Sequence, residues 1–160
     1  MIKVKNKDQL KQIINERPNN ADLNDLNVSK IKDMSYLFYD SKFNGDISKW
    51  DVSKVIDMTE MFAYSEFNGD ISKWDVSKVR DMSFMFEHSE FNGDISKWNV
   101  SSVVDMSYMF DGAKMKDYNF LLKWNIKNRN VYMKGFKKGI DSFEDIKKLK
   151  LGKFRRLLNI

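Results

Sequence analysis

The sequence predicts an α/β repeat solenoid, in which short parallel strands and short helical turns stack unit on unit between two helical caps. Three observations predict it. The string FNGDISKWDVSKV at 67–79 recurs almost unchanged 24 residues earlier, and its first part recurs again 24 residues later. Apolar residues hold fixed columns in that period: Val52/Val76/Val100, Val55/Val79/Val103, Met58/Met82/Met106, Phe62/Phe86/Phe110 and Trp50/Trp74/Trp98. A unit this short cannot bury its own apolar face, so neighbouring units must bury it together. The segments outside the repeat, finally, carry apolar residues at helical spacing.

Taken in chain order, residues 1–26 form a lead-in with a capping helix. In KDQLKQIINE, Leu10, Ile13 and Ile14 share one helical face, and Pro18 stops the helix. Residues 27–136 hold the repeats: 27–50, 51–74, 75–98, 99–124 and a decaying fifth unit at 125–136, in which Phe136 keeps the register of Phe110 and Val131 stands where Asp105 stood. Within each unit, FNGDISKW reads as an Asn-Gly turn followed by a strand, Ile47–Asp51 in the first unit. Ile47 and Trp50 have opposite parity there, so either the strand bends between them or Trp50 packs on a rim. DMTEMFAYS reads as a helical turn from Asp57 to Tyr64, with Asp57 as N-cap and Glu60 completing a capping box. Residues 137–160 form a basic helical cap, for which Ser142 is the N-cap and Asp145 its partner three residues on. Ten methionines are explained as core: most lie in two repeat columns, where a flexible side chain fills gaps between units.

The pattern V-S-x-V-x-x-M-x-x-M-F followed by S-x-F-N-G-D-I-S-x-W resembles the BspA-like repeat, a relative of leucine-rich repeats found in bacterial surface proteins and mycoplasma lipoproteins. The resemblance spans about residues 20–124, with a weaker tail to 136. It implies a right-handed, leucine-rich-repeat-like coil and a role in adhesion or protein binding, often outside the cell. A short version without an export signal would also fit a phage or mobile-element origin.

Composition narrows the chemistry. The chain has no cysteine, which excludes disulfides and thiolate metal sites. No apolar run approaches a membrane span. The start, MIKVKNKDQLKQIINERP, is charged and lacks the apolar centre of a signal peptide, which predicts a cytoplasmic protein; the resemblance leaves the extracellular surface open. The net charge of +5 is unevenly placed. Residues 27–110 hold nine basic and fourteen acidic residues, whereas 111–160 hold fourteen basic and five acidic ones.

No enzymatic activity, cofactor or metal is expected. The single histidine, His88, stands in a column occupied elsewhere by Asp40, Tyr64 and Gly112. A position that accepts four unrelated residues reads as surface, not as a catalytic base. The aspartates recur in every unit and read as caps and turn residues, not as calcium ligands or a catalytic pair.

What remains is binding. Fixed columns are explained by stacking, so the variable ones are free for a partner. Tyr36, Glu60, Phe84 and Tyr108 form one such column, and Ile56 and Arg80 belong to the neighbouring one with Lys32 and Val104. These six residues are the candidate partner-binding surface, and the expected partner is a protein. The alternative is a nucleic-acid or anionic-surface binder acting through Lys147, Lys148, Lys150, Lys153, Arg155 and Arg156. A surface-adhesin fragment, and head-to-tail self-association of the basic end with an acidic body, also remain open.

Overall fold

The structure is a computed structural model that describes residues 1–116, 118–124, 126, 131–138, 140–142 and 144–148. The expected leucine-rich-repeat-like α/β solenoid is not what it shows. Among the described residues, strand β1 (Ile2–Lys3) pairs in parallel with β2 (Leu26–Asn27) to make one two-stranded sheet. Helical structure comprises α1 (Lys7–Asn15), a 3-10 helix at Asn119–Leu122 and a short stretch at 144–148. Neither strands nor helical turns build the units between them. Asp57–Tyr64 is a run of turns, not a helix, and Ile47–Asp51 is a turn, not a strand.

The element that replaces both is a five-residue turn, Asp/Asn-apolar-Ser/Thr-x-apolar, found three times in each of the first three units and twice in the fourth. In DISKW, the Asp46 carboxylate accepts the Ser48 N–H at 2.8 Å, and the Trp50 N–H donates to the Ile47 carbonyl at 3.1 Å. DVSKV repeats this with Ser53 N–H to Asp51 and Val55 N–H to Val52 carbonyl. DMTEM does so with Thr59 N–H to Asp57 and Met61 N–H to Met58 carbonyl. Side chains of Asp and Asn favour this local bond over helix continuation. The closing i to i+3 bond swings both apolar residues inward. Ile47 and Trp50, Val52 and Val55, Met58 and Met61 are all at most 4% exposed. The parity conflict between Ile47 and Trp50 disappears because no strand separates them.

Units are joined at a fixed offset. Met34, Tyr36, Phe38 and Asp40 donate their N–H groups to the carbonyls of Asp57, Thr59, Met61 and Ala63, all at 2.9 Å. Met58, Glu60, Phe62 and Tyr64 do the same to Asp81, Ser83, Met85 and Glu87. Isolated parallel bridges link Asp33, Asp57, Asp81 and Asp105 in turn. Like side chains therefore lie against like. The Trp50 and Trp74 rings stack at 6.5 Å, and Phe38, Phe62, Phe86 and Phe110 follow one another at 5.4–5.7 Å. Each indole N–H is satisfied inside the core. Trp50, Trp74, Trp98 and Trp124 donate to the carbonyls of Leu23, Ile47, Ile71 and Ile95 at 2.9–3.2 Å.

The Asn-Gly pair is also not the expected tight turn, since neither residue has a positive φ in any unit. Asn44 accepts the Asn68 N–H, Asn68 the Asn92 N–H and Asn92 the Lys116 N–H, each at 2.8 Å. The glycine is required by proximity: a Cβ on Gly69 would lie 2.8 Å from the Phe67 ring. The decaying fifth unit re-enters one residue later than the sequence suggests. Tyr132, not Val131, bridges Asp105, and Phe136 closes its turn on Met133 as Met109 does on Met106.

At the N-terminus, α1 begins at Asn6, whose side chain accepts the Gln9 N–H, and buries Leu10 and Ile14. Arg17 forks onto Asp25 within the lead-in with two 2.8 Å bonds, and Lys7 reaches Asp33 at 2.9 Å, which ties the helix to the first unit by charge as well as packing. At the other end, the Ser142 hydroxyl donates to Asp145 at 2.7 Å.

Two expectations follow from these bonds. Replacing Trp98 by Phe deprives the Ile71 carbonyl of a buried donor, and thermal or urea melts should show a loss of about 1–3 kcal/mol. The second concerns acid. The Ser48, Ser72 and Ser96 N–H groups hold Asp46, Asp70 and Asp94 below the ordinary carboxylate value of 3.8, and the Ser53 and Ser77 hydroxyls do the same for Asp51 and Asp75. A depressed folded-state pKa means stability that is complete above the unfolded value and lost as pH falls through the folded one. Urea midpoints should therefore drop as pH falls below about 4. The drop should be shallower in Asp70→Asn, because an amide oxygen can still accept the bond, as Asn99 does natively from Ser101.

Candidate functional site

The turns at Met58–Ser65 create the surface of interest. Met61 N–H closes on the Met58 carbonyl and Ser65 N–H on the Phe62 carbonyl. In each of these turns the third residue has positive φ: Glu60 at 52° and Tyr64 at 58°. A left-handed third residue after an ordinary second one is the type II requirement, usually met by glycine. Here Tyr36, Glu60, Phe84 and Tyr108 occupy the first such column, and Asp40, Tyr64 and His88 the second. The columns end on glycines in the same conformation, Gly135 at 63° and Gly112 at 65°. The ladder bonds hold the backbone there although bulky residues are ill suited to it.

Side chains of these columns point away from the core and meet Tyr39, whose φ is not positive, outside it. Tyr36 and Tyr39 lie 6.0 Å apart, Tyr39 and Tyr64 meet edge-on at 5.8 Å, and Tyr64 stacks on His88 at 5.1 Å. Tyr36, Tyr39, Tyr64 and the apolar Ile56 are each 43–46% exposed. Around the tyrosines stand Asp40, Glu60 and Glu87. The Tyr36 hydroxyl donates to Glu60 at 2.9 Å, which raises its own pKa. The face is aromatic with an acidic edge.

Of the residues singled out from sequence, Tyr36, Ile56 and Arg80 are exposed. Glu60, Phe84 and Tyr108 are half-buried, and the last two are occupied with each other, stacked at 4.9 Å and 10°. Tyr108 in turn lies where a Cβ on Gly135 would come within 2.3 Å of its ring. The continuous exposed patch runs instead through Tyr39 and Tyr64, which belong to two further variable columns and are not among the six candidate residues. A signal for Tyr64 existed: a variable column that includes a glycine, Asp40/Tyr64/His88/Gly112, is the mark of a left-handed backbone. Of the basic residues, Lys147 reaches Glu144 at 2.6 Å and Lys148 reaches Asp145 at 3.1 Å. Lys150, Lys153, Arg155 and Arg156 lie outside the described residues.

Comparison with known proteins adds one match. A family model described as a Mycoplasma protein of unknown function, DUF285, matches residues 8–124 and again 63–149. The chain belongs to this family. The two overlapping matches fit a repeated unit that can be aligned in more than one register. No curated protein and no solved structure matches the chain. Membership supports a mycoplasma-type repeat protein and carries no assigned activity. No helix among the described residues is long and apolar enough to cross a membrane.

The left-handed columns give a sharp test. Asp40 has φ 49° and an exposed side chain, and its N–H bond to Ala63 is independent of side chain. Asp40→Gly should stabilise the fold by about 0.5–1 kcal/mol, because glycine removes the steric cost of that conformation. Asp40→Val should destabilise it by more than that, since a β-branched residue suits it least. Chemical denaturation of the pair measures both.

Proposed function

We propose that the chain is a non-enzymatic protein-binding module and that the Tyr36–Tyr39–Tyr64 face is its contact surface. The observation that carries this reading is the exposed run of three adjacent tyrosines. Nearly all other large side chains of the repeats are buried or half-buried, whereas these three are each 45–46% exposed. Tyrosine suits an interface because it offers a broad, stiff apolar body with a polar tip. The acidic edge of Asp40, Glu60 and Glu87 favours a basic protein surface as the partner. The resemblance to BspA-like repeats, whose members are associated with adhesion and protein binding, supports the same reading.

Catalysis has little to work with in the repeats. The Asp33, Asp57, Asp81 and Asp105 carboxylates accept the N–H two residues on, as do those that follow the Asn-Gly pairs. Their job is the same in every unit, so none is set apart as a reacting group. The alternative of anion binding through the basic segment finds no comparable observation, because the described Lys147 and Lys148 each face a carboxylate three residues back.

The test uses a photo-crosslinking residue in place of Tyr39 and, as control, of Lys49 on a different turn, in cells of the native host. The expected result is one protein crosslinked from position 39 and not from 49. The double variant Tyr39→Ser/Tyr64→Ser should then abolish binding of that purified protein, with a melting temperature within a few degrees of the parent. Equal crosslinking from both positions, or binding untouched by the double variant, would overturn the assignment.

A further inference from the structure

One cluster adjoins the tyrosine face, shares Glu87 with its acidic edge and offers a different chemistry. Glu87, His88 and Asp111 each present a ligating atom, and these atoms all lie within 4.8 Å of one another. Glu87 and His88 are consecutive, and Asp111 is the counterpart of Glu87 in the next unit. The His88 N–H donates to the Asp111 carbonyl at 2.8 Å, which fixes the two backbones side by side. We propose that these three side chains form a binding site for a first-row divalent cation, with Zn²⁺ the best fit.

The imidazole is held from both sides. The Tyr64 ring stacks on it at 5.1 Å and 26°. On the opposite side the chain supplies Gly112, where a Cβ would come 2.2 Å from Nδ1. A ring clamped between an aromatic and a bare backbone is restricted in the way a ligand should be. The carboxylates, for their part, lack a cation. Among the described residues no lysine or arginine pairs with Glu87 or Asp111, and His88 forms no direct ion pair with either.

The chemistry of the donor set selects the metal. One imidazole with two carboxylates suits zinc or its neighbours, whereas calcium takes oxygen ligands only. Zinc holds nitrogen and oxygen ligands at about 2.0–2.2 Å, which places tetrahedral donors roughly 3.4 Å apart. The donors, within 4.8 Å of one another, would draw together by rotation of the half-buried Glu87 and Asp111 carboxylates around the held imidazole. Three protein ligands leave a fourth position for water or for a donor from a bound molecule. The site occurs once in the repeats, because the equivalent pairs are Tyr39–Asp40, Ala63–Tyr64 and Asp111–Gly112. It does not depend on the tyrosine face having a protein partner.

The chain itself makes the test clean, since His88 is its only histidine and it has no cysteine. Zn²⁺ titrated into the full chain at pH 7 should give one saturable site by calorimetry. The same additions should shift the single set of imidazole ring resonances in the NMR spectrum. His88→Gly suits the left-handed backbone and should keep the fold, as a melt without metal will verify. Asp111→Asn removes a second ligand without changing shape. Each should weaken Zn²⁺ binding by more than the roughly 10–100-fold that loss of a ligand's supporting partner costs. No saturable binding to the parent, or His88→Gly binding as tightly as the parent, would overturn the site.

Discussion

The constraint on which the structure depends is the bond between a turn in one unit and the turn one unit on. Met34 N–H meets the Asp57 carbonyl, Met58 N–H the Asp81 carbonyl and Met82 N–H the Asp105 carbonyl, at 2.9–3.0 Å. A backbone made almost entirely of turns cannot satisfy its own N–H groups, because an i to i+3 bond uses only one residue in a few. The remaining donors must find acceptors in the neighbour. That requirement sets the period rigidly. Inserting a residue would shift every donor away from its acceptor and every apolar residue away from its file. The fourth unit shows how an insertion is absorbed: two extra residues before Trp124 fall beside the 3-10 helix, and the Trp124 indole N–H still reaches the Ile95 carbonyl. Insertion is tolerated where the chain makes a helical turn of its own, and not within the ladder.

The aspartates and serines follow from the same constraint. A turn needs a reason not to extend into helix or strand, and the carboxylate supplies it by binding the N–H two residues on. Several of the following serines add a hydroxyl bond to the same carboxylate, as Ser35, Ser53 and Ser83 do at 2.6–2.7 Å. Ser65 and Ser89 lie in the core and donate instead to the carbonyls of Phe62 and Phe86. Residues that look in sequence like a supply of polar chemistry are thus engaged one by one in holding turns. Tryptophan belongs to the same logic: its ring fills the core, and its N–H closes one more carbonyl of the preceding unit.

Much of this was legible in the sequence, and the rest failed for identifiable reasons. The columns of Val, Met, Phe and Trp named the core correctly, because burial is dictated by side-chain type and period. Secondary structure was misread, because Asp57 with Glu60 three residues on imitates a capping box, and Ile47–Asp51 imitates a strand. Both are short segments in which local pattern cannot separate a helix start from an Asx turn. The deciding hint was the spacing within the unit: Asp46, Asp51 and Asp57 each precede an apolar residue and carry another three residues beyond it. A motif recurring every five or six residues fits neither a helix nor a strand. The Asn-Gly pair misled in the same way. Its asparagine serves the neighbouring unit, and its glycine makes room for Phe67 or Phe91, neither of which a dipeptide rule can anticipate. In the candidate binding column Tyr36 is exposed, while Phe84 and Tyr108 cover each other, which side-chain type alone does not foretell.

The left-handed columns explain why the outward surface varies where it does. Inside the ladder every side chain is constrained by its copies in the units on either side, so substitution there is limited. The third residue of each type II turn is different: its backbone is fixed by the ladder, and its side chain is thrown outward. Sequence can vary there freely in type, provided the steric cost of the conformation is met by the surrounding bonds. The two columns accordingly hold Tyr, Glu, Phe, Tyr and Asp, Tyr, His, Gly. A glycine at the end of such a column does more than relax strain. Gly112 opens space over which the His88 ring lies, and Gly135 does the same for Tyr108. The identity of one unit's outward residue thereby controls the orientation of the one before it. A uniform scaffold can in this way display a non-uniform surface, aromatic through Tyr36, Tyr39 and Tyr64, and rich in ligating atoms at Glu87, His88 and Asp111, without altering a single bond of the ladder beneath.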